Sequence, residues 1–143
     1  LHSPSHVSLE SALAYHGLIP EAVYQVSSVT QAGSREFRTP VGVFTFHRVP
    51  SLSPLAGVQT VQFECGHWVF VATPLRAIAD LIYLRKEVSW ERDGLAFLTD
   101  SMRIDRGDLR GLPTETFDEI GASFRDRRTR EYLLGLRTEL ANR

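Results

Sequence analysis

The chain has one cysteine, one methionine and one lysine, and no apolar run that approaches a membrane span. Each scarcity excludes something. The lone thiol, Cys65, cannot close an internal disulfide and fits a reducing compartment, so the expected location is the cytoplasm. A transmembrane helix needs ~20 consecutive apolar residues, and nothing of that kind is present. The first residues, with neither a basic start nor an apolar core, do not read as a secretory signal. The only lysine, Lys86, has Leu84 two residues before it, so the acid-x-Lys triplet of a restriction-type nuclease is missing. Glycines are scattered, forming neither G-x-G-x-x-G nor G-x-x-x-x-G-K-S/T, which removes the usual phosphate-cradling loops. No G-x-S-x-G elbow exists either, and Cys65 has no local context that would activate it as a nucleophile.

What is present is an ordinary globular composition. With 143 residues, 43% hydrophobic and 23% charged, the chain suits one domain that buries a real core. The net charge of −1 argues against attraction of nucleic acid by the whole surface. The first half holds few charges and many β-formers, whereas the second half is dense in both signs. Positive charge is almost entirely arginine, from biased codon use or for planar recognition of carboxylate or phosphate. The chain opens on Leu1, which suggests an excised domain, and residues 1–6 read as a linker remnant. Residues 7–143 are then expected to form a single α+β domain.

The first element is a short helix from Ser8, with both ends written into the sequence. Ser8 can cap it, Glu10 and Ser11 suit its first turn, and Leu9, Ala12 and Leu13 share one face. Gly17 is the left-handed stop, Leu18 and Ile19 dock beyond it, and Pro20 forbids continuation. An antiparallel meander of about four or five strands is expected next. It comprises residues 22–30, 35–39, 43–49, 58–64 and 68–72, with turns at 31–34, at Pro40 and Gly42, and at Cys65 to His67. Thr73 then caps a helix with Pro74 at its first position, and Leu75, Ile78, Ala79 and Ile82 form the stripe. Arg76 and Asp80 are assigned to other faces, as a local pair worth only tenths of a kcal/mol. Three further helices are expected, from Ser89 or Trp90 to Met102, from Thr114 to Phe124, and from Arg127 to Leu140.

Chemistry is harder to find. His2, His6, His16, His47, His67 and Cys65 could ligate a metal, but Cys65-x-His67 lacks the second paired motif of a structural zinc site. No metal, cofactor or catalytic residue is assigned. Arg125, Arg127, Arg128, Arg130 and Arg137 make a modest basic face for an acidic partner or RNA, or simply a solvated helix exterior. His16 reads either as a recognition residue or as a complement to the negative end of its helix. Asp80 reads as functional or as a cap on a neighbouring loop.

Three stretches together resemble the AbiEi-type antitoxin family of type IV toxin–antitoxin and abortive-infection systems, known as regulators of phage defence. They are Ser8-Leu9-Glu10-Ser11-Ala12-Leu13 through His16-Gly17-Leu18-Ile19-Pro20-Glu21, then Phe37-x-Thr39-Pro40-x-Gly42-x-Phe44, and Ala72-Thr73-Pro74-x-x-Ala77-x-x-Asp80-Leu81-x-Tyr83-Leu84. Within them Ser8, Ser11, His16, Gly17, Pro20, Pro40, Gly42, Thr73, Pro74 and Asp80 are read as structural. The resemblance implies an effector domain that neutralises a nucleotidyltransferase toxin without catalysis, through contact with the toxin or with its RNA substrate. Such antitoxins look like a winged helix followed by this domain, and no winged helix precedes Ser8, so a DNA-binding role does not carry over. No membrane partner is implied, and self-association is left open. The alternatives are an enzyme that modifies the toxin or its RNA, and a regulatory or oligomerisation module.

Overall fold

A computed structural model describes residues 5–20, 25–40, 42–62, 66 and 68–142. The class is α+β. Strands β1 (Ser5–Val7), β2 (Gln25–Thr30), β3 (Arg35–Thr39), β4 (Gly42–Arg48), β5 (Val58–Gln62) and β6 (Trp68–Ala72) make one sheet in the order β3-β4-β2-β1-β6-β5. Helix α1 (Leu9–Tyr15) follows β1. The helical half follows β6, as α2 (Pro74–Leu84), α3 (Trp90–Asp93), a π-helical turn (Phe97–Ser101), α4 (Arg106–Arg110), α5 (Thr116–Ala122) and α6 (Arg127–Ala141).

The expected antiparallel meander is not what forms. The sheet is mixed, because β2 runs parallel to β4 and β1 parallel to β6. In a meander β3 would lie between β2 and β4, but β4 takes that place instead. β4 brings Val43, Phe44 and Phe46, whereas β3 brings Arg35, Glu36 and Arg38 and is exposed throughout, so the charged strand goes to the edge. Nor are Ser5 and His6 linker. They open β1, which sits between β2 and β6, with Ser5 opposite Thr30 and Val7 opposite Ser28. Residues 1–4, 21–24 and 63–65 and His67 lie outside the described residues. So do the linker's first part, the start of the first predicted strand, the end of the fourth, and Cys65 and His67 of the predicted turn.

The start of α1 departs from its predicted cap. The Ser8 hydroxyl makes no capping bond, and Leu9, at φ +56, bends the chain off β1 into the helix. Ser8 N–H instead donates to the Ser27 carbonyl at 2.9 Å. Ser11 extends that edge, its hydroxyl donating to the Gln25 carbonyl and accepting from the Ser27 N–H at 2.8 Å. A serine side chain thus continues the pairing of β2 where β1 has ended. The C-terminus follows the prediction. Gly17 adopts φ +77, and Leu18 N–H closes back on the Leu13 carbonyl at 2.9 Å, the wrapped stop that only a residue free of Cβ adopts easily. Ile19 is buried beyond it. His16 does not complement the end of its own helix, because its Nε2 donates to the Ala72 carbonyl at the end of β6. In the β3–β4 turn Pro40 precedes Gly42, which pairs with Thr39 at φ +150.

Helix α2 is the centre of the molecule. Every residue from Leu75 to Ile82 is buried, against α1, α5, α6 and β6. Thr73 holds the cap position before Pro74, but its hydroxyl donates to the Gly57 carbonyl rather than to its own helix. The predicted helix from residue 89 to Met102 breaks at Gly94 into α3 and the π-helical turn, and α4 adds an element that was not anticipated. The helices predicted over 114–124 and 127–140 correspond to α5 and α6. Where α3 meets α6, the Trp90 indole lies on the backbone of Gly135, and a Cβ there would overlap its ring. Trp90 also meets Tyr132 edge-on at 5.1 Å. Helix propensity alone favours Gly135→Ala by about 1 kcal/mol, while overpacking costs about 1–3 kcal/mol. The expected outcome is a net loss, read as a lower midpoint in thermal unfolding.

Candidate functional site

The polar residues singled out in the sequence fall into a buried cluster and a surface. The cluster joins β1, the start of α1 and α2. Asp80 and Arg76, one turn apart on α2, are both fully buried, which overturns their assignment to outer faces. Arg76 Nε donates to Asp80 Oδ1 at 3.0 Å, while the Ser8 hydroxyl and His6 Nε2 donate to Oδ2 at 2.7 and 2.9 Å. The other end of Arg76 reaches the loop before β5, where Nη1 donates to the Ala56 carbonyl at 2.7 Å, and its guanidinium lies 5.2 Å from the Phe124 ring centroid. Burial by itself would raise the Asp80 pKa, but the charge of Arg76 and the donors His6 and Ser8 outweigh it, holding the carboxyl below its ordinary value.

Hydroxyl, imidazole and carboxylate thus stand together, yet not in the order of a nucleophile triad. Serine and histidine both donate to the same carboxylate oxygen, so the imidazole does not sit as a base on the hydroxyl. The chemistry such a group performs is cross-linking of three segments. His6, in the segment read as linker, had no sequence signal that tied it to Asp80.

The five arginines near the C-terminus separate on inspection. Arg128 is half-buried and turns its guanidinium inward. Its Nη1 donates to the Val88 carbonyl at 2.7 Å, and its Nη2 to the Ile82 and Tyr83 carbonyls at 2.7 and 3.0 Å, which satisfies the end of α2. Asp126 beside it caps α6 by accepting from Thr129 N–H and hydroxyl. Burial opposes ionisation of Asp126, but those bonds and Arg128 together pull its carboxyl below the usual range.

The others line the outside. Arg127 and Glu131 pair along α6, and Arg137 reaches across to Asp118 of α5. Arg125 and Arg130 are exposed. Between α5 and α6 runs a groove of about 410 Å³, its floor made by Phe117, Gly121 and Leu133 and its rim by Arg127, Arg130 and Arg137. Leu134, 62% exposed, stands at its side.

A larger concavity had no counterpart in the sequence reading. It spans four neighbouring strands and measures about 920 Å³, with Tyr15 of α1 as one wall and Val26, Phe44 and Phe46 in its floor. By register Val7, Ser28 and Phe46 share a face of the sheet, opposite to the face on which His6 reaches Asp80. Alternation along residues 43–49 puts Phe44 and Phe46 on one face, and only the packing of the sheet decides that this face is the open one. Among the described residues no helix is long and apolar enough to cross a membrane. Comparison of the chain with protein-family models and with curated proteins finds no match to either.

Proposed function

We propose that this chain is an antitoxin-like effector domain that neutralises a nucleotidyltransferase toxin without catalysis, through a binding surface on α5 and α6. One observation carries the choice of surface, namely the groove between those helices, apolar in its floor and rimmed by Arg127, Arg130 and Arg137. Glu131 and Asp118 also line the groove and pair with Arg127 and Arg137, so the rim carries one net positive charge, and an apolar floor with that rim suits a partly apolar partner surface of modest acidity. The three stretches that resemble AbiEi-type antitoxins support the class of function. Their residues Ser8, Ser11, Gly17, Thr73 and Asp80 all work in the scaffold, which leaves partner contact to other positions. Arg128 is withdrawn from the binding set, because its guanidinium is spent on the end of α2.

The test is stoichiometric neutralisation. Added to an active nucleotidyltransferase toxin in equimolar amount and without cofactor, the domain should abolish nucleotidyl transfer to RNA. Suppression by trace amounts that requires a nucleotide or a metal would replace this proposal with an enzymatic one. Reversing Arg127 and Arg130 to glutamate should weaken neutralisation at least tenfold, about 1.4 kcal/mol of binding, while the thermal midpoint stays near that of the parent. Undiminished neutralisation by that variant would remove α6 from the mechanism.

A further inference from the structure

The two outer strands of the sheet are guarded very differently. β3 carries Arg35, Glu36 and Arg38 and runs into Pro40, and charge and proline are common protection for an open edge. β5, at the opposite edge, reads Val58-Gln59-Thr60-Val61-Gln62, without charge or proline. Gln59, Thr60 and Gln62 are exposed. Its neighbour β6 exposes Trp68 (63%) and Phe70 (41%), and the register sets Trp68 beside Gln62 and Phe70 beside Thr60.

Among the described residues, the ladder also fixes which backbone groups of β5 remain open. Thr73 N–H donates to the Gly57 carbonyl at 2.9 Å, so Gly57 and Thr73 continue the β5–β6 register as a hydrogen-bonded pair. Such pairs alternate along an antiparallel ladder. Gln59 and Val61 therefore spend their N–H and C=O groups on β6, while Thr60 and Gln62 point theirs away from the sheet. Val58 N–H turns back to the Leu55 carbonyl at 3.0 Å, which leaves its own carbonyl on the open side.

We propose that β5 is a self-pairing edge, through which two copies of this chain join antiparallel about Thr60 into one continuous sheet. A row of alternating outward N–H and C=O groups accepts an extended backbone and little else. In this register Thr60 exchanges both bonds with Thr60 of the second copy, and the Gln62 N–H meets the Val58 carbonyl. Two-fold pairing sets a strand against itself, and β5 holds no charge to repel its copy. Phe70 and Trp68 flank the joint and supply apolar surface on either side of it. The pairing does not depend on the α5–α6 proposal, and either can fail alone.

The experiment is sedimentation equilibrium on the intact chain, with Thr60→Lys, Thr60→Glu and an equimolar mixture of the two variants. The parent should dimerise with rising concentration. Each variant alone should stay monomeric, because like charges then face each other, and the mixture should recover the dimer. A parent that stays monomeric at every concentration overturns the proposal, as do variants that dimerise as the parent does. Amide exchange on the parent gives an answer free of any folding defect. Thr60 and Gln62 amides should become protected as concentration rises, and free exchange in the dimer would also overturn it.

Discussion

Asp80→Ala lowers the unfolding free energy by about 3–5 kcal/mol, a large share of the 5–15 kcal/mol typical of a folded domain. The reason is the company Asp80 keeps. Arg76 is fully buried, and its charge is balanced at 3.0 Å by this carboxylate. Removing the carboxylate leaves a guanidinium among apolar side chains, with His6 and Ser8 deprived of their acceptor. Arg76→Met alone should cost a similar amount, by leaving the carboxylate without its cation. Replacing both residues together, as Arg76→Met with Asp80→Ala, should cost much less than the sum of the two. A buried ion pair is dear to break and cheap to replace by well-packed apolar groups. Urea unfolding of the four chains checks this, and additive losses would show that the pair is not coupled. The same carboxyl sets a pH dependence. Its folded pKa is lowered from the ordinary 3.8, so the folded state binds fewer protons than the unfolded state in this range. Its contribution is fully present above about pH 4 to 5 and fades as the pH falls through the folded value. Asp80→Asn should flatten that acid limb of the stability curve.

Arg128→Met destabilises by about 3 kcal/mol, while Arg130→Glu, two residues along the same helix, changes stability by less than about 0.5 kcal/mol. On composition the two arginines are indistinguishable. Arg130 is exposed, whereas Arg128 holds the carbonyls of Ile82, Tyr83 and Val88. Methionine keeps most of the stem but none of the donors, so the last turn of α2 loses its partners. Chemical denaturation of both variants distinguishes them. Equal losses would mean that the bonds from Arg128 to α2 contribute little in solution.

The elements that were legible share one property, which is that their signals lie within a few residues of one another. Gly17 stops α1 because its positive φ lets the Leu18 N–H return to the Leu13 carbonyl. Pro74 starts α2 because its missing N–H falls at a position that needs none. α6 was readable from Tyr132, Leu133, Leu136 and Leu140 on one side. β4 was readable from strict alternation. The missed features depend on distant partners or on too few residues. β1 is three residues long, too short for a periodic pattern to register. The π-helical turn after Gly94 has no marker in the local spacing, and it buries Phe97 and Leu98.

The candidate surfaces divide in the same way. A basic tendency near the C-terminus was visible as composition, but the sorting of Arg128 from Arg127, Arg130 and Arg137 was not, since it turns on where α2 ends. Ser8 and Thr73 were read as caps because each precedes a helix. Both turned their hydroxyls elsewhere, Ser8 to Asp80 and Thr73 to the Gly57 carbonyl.

By itself, then, the sequence determined the α+β class, the boundaries of α1 and α6, the start of α2, and an absence of the standard catalytic motifs. Local hydrogen bonds and side-chain periodicity are properties of neighbours, and neighbours are what a sequence displays. Only the tertiary structure decided the mixed pairing of the sheet, the burial of Arg76 with Asp80 and the openness of β5. Each of those depends on which chemically similar segment reached the interior first in free energy. β4 outcompeted β3 for the inner place, and His6 came within 2.9 Å of a carboxylate that lies 74 residues away in sequence.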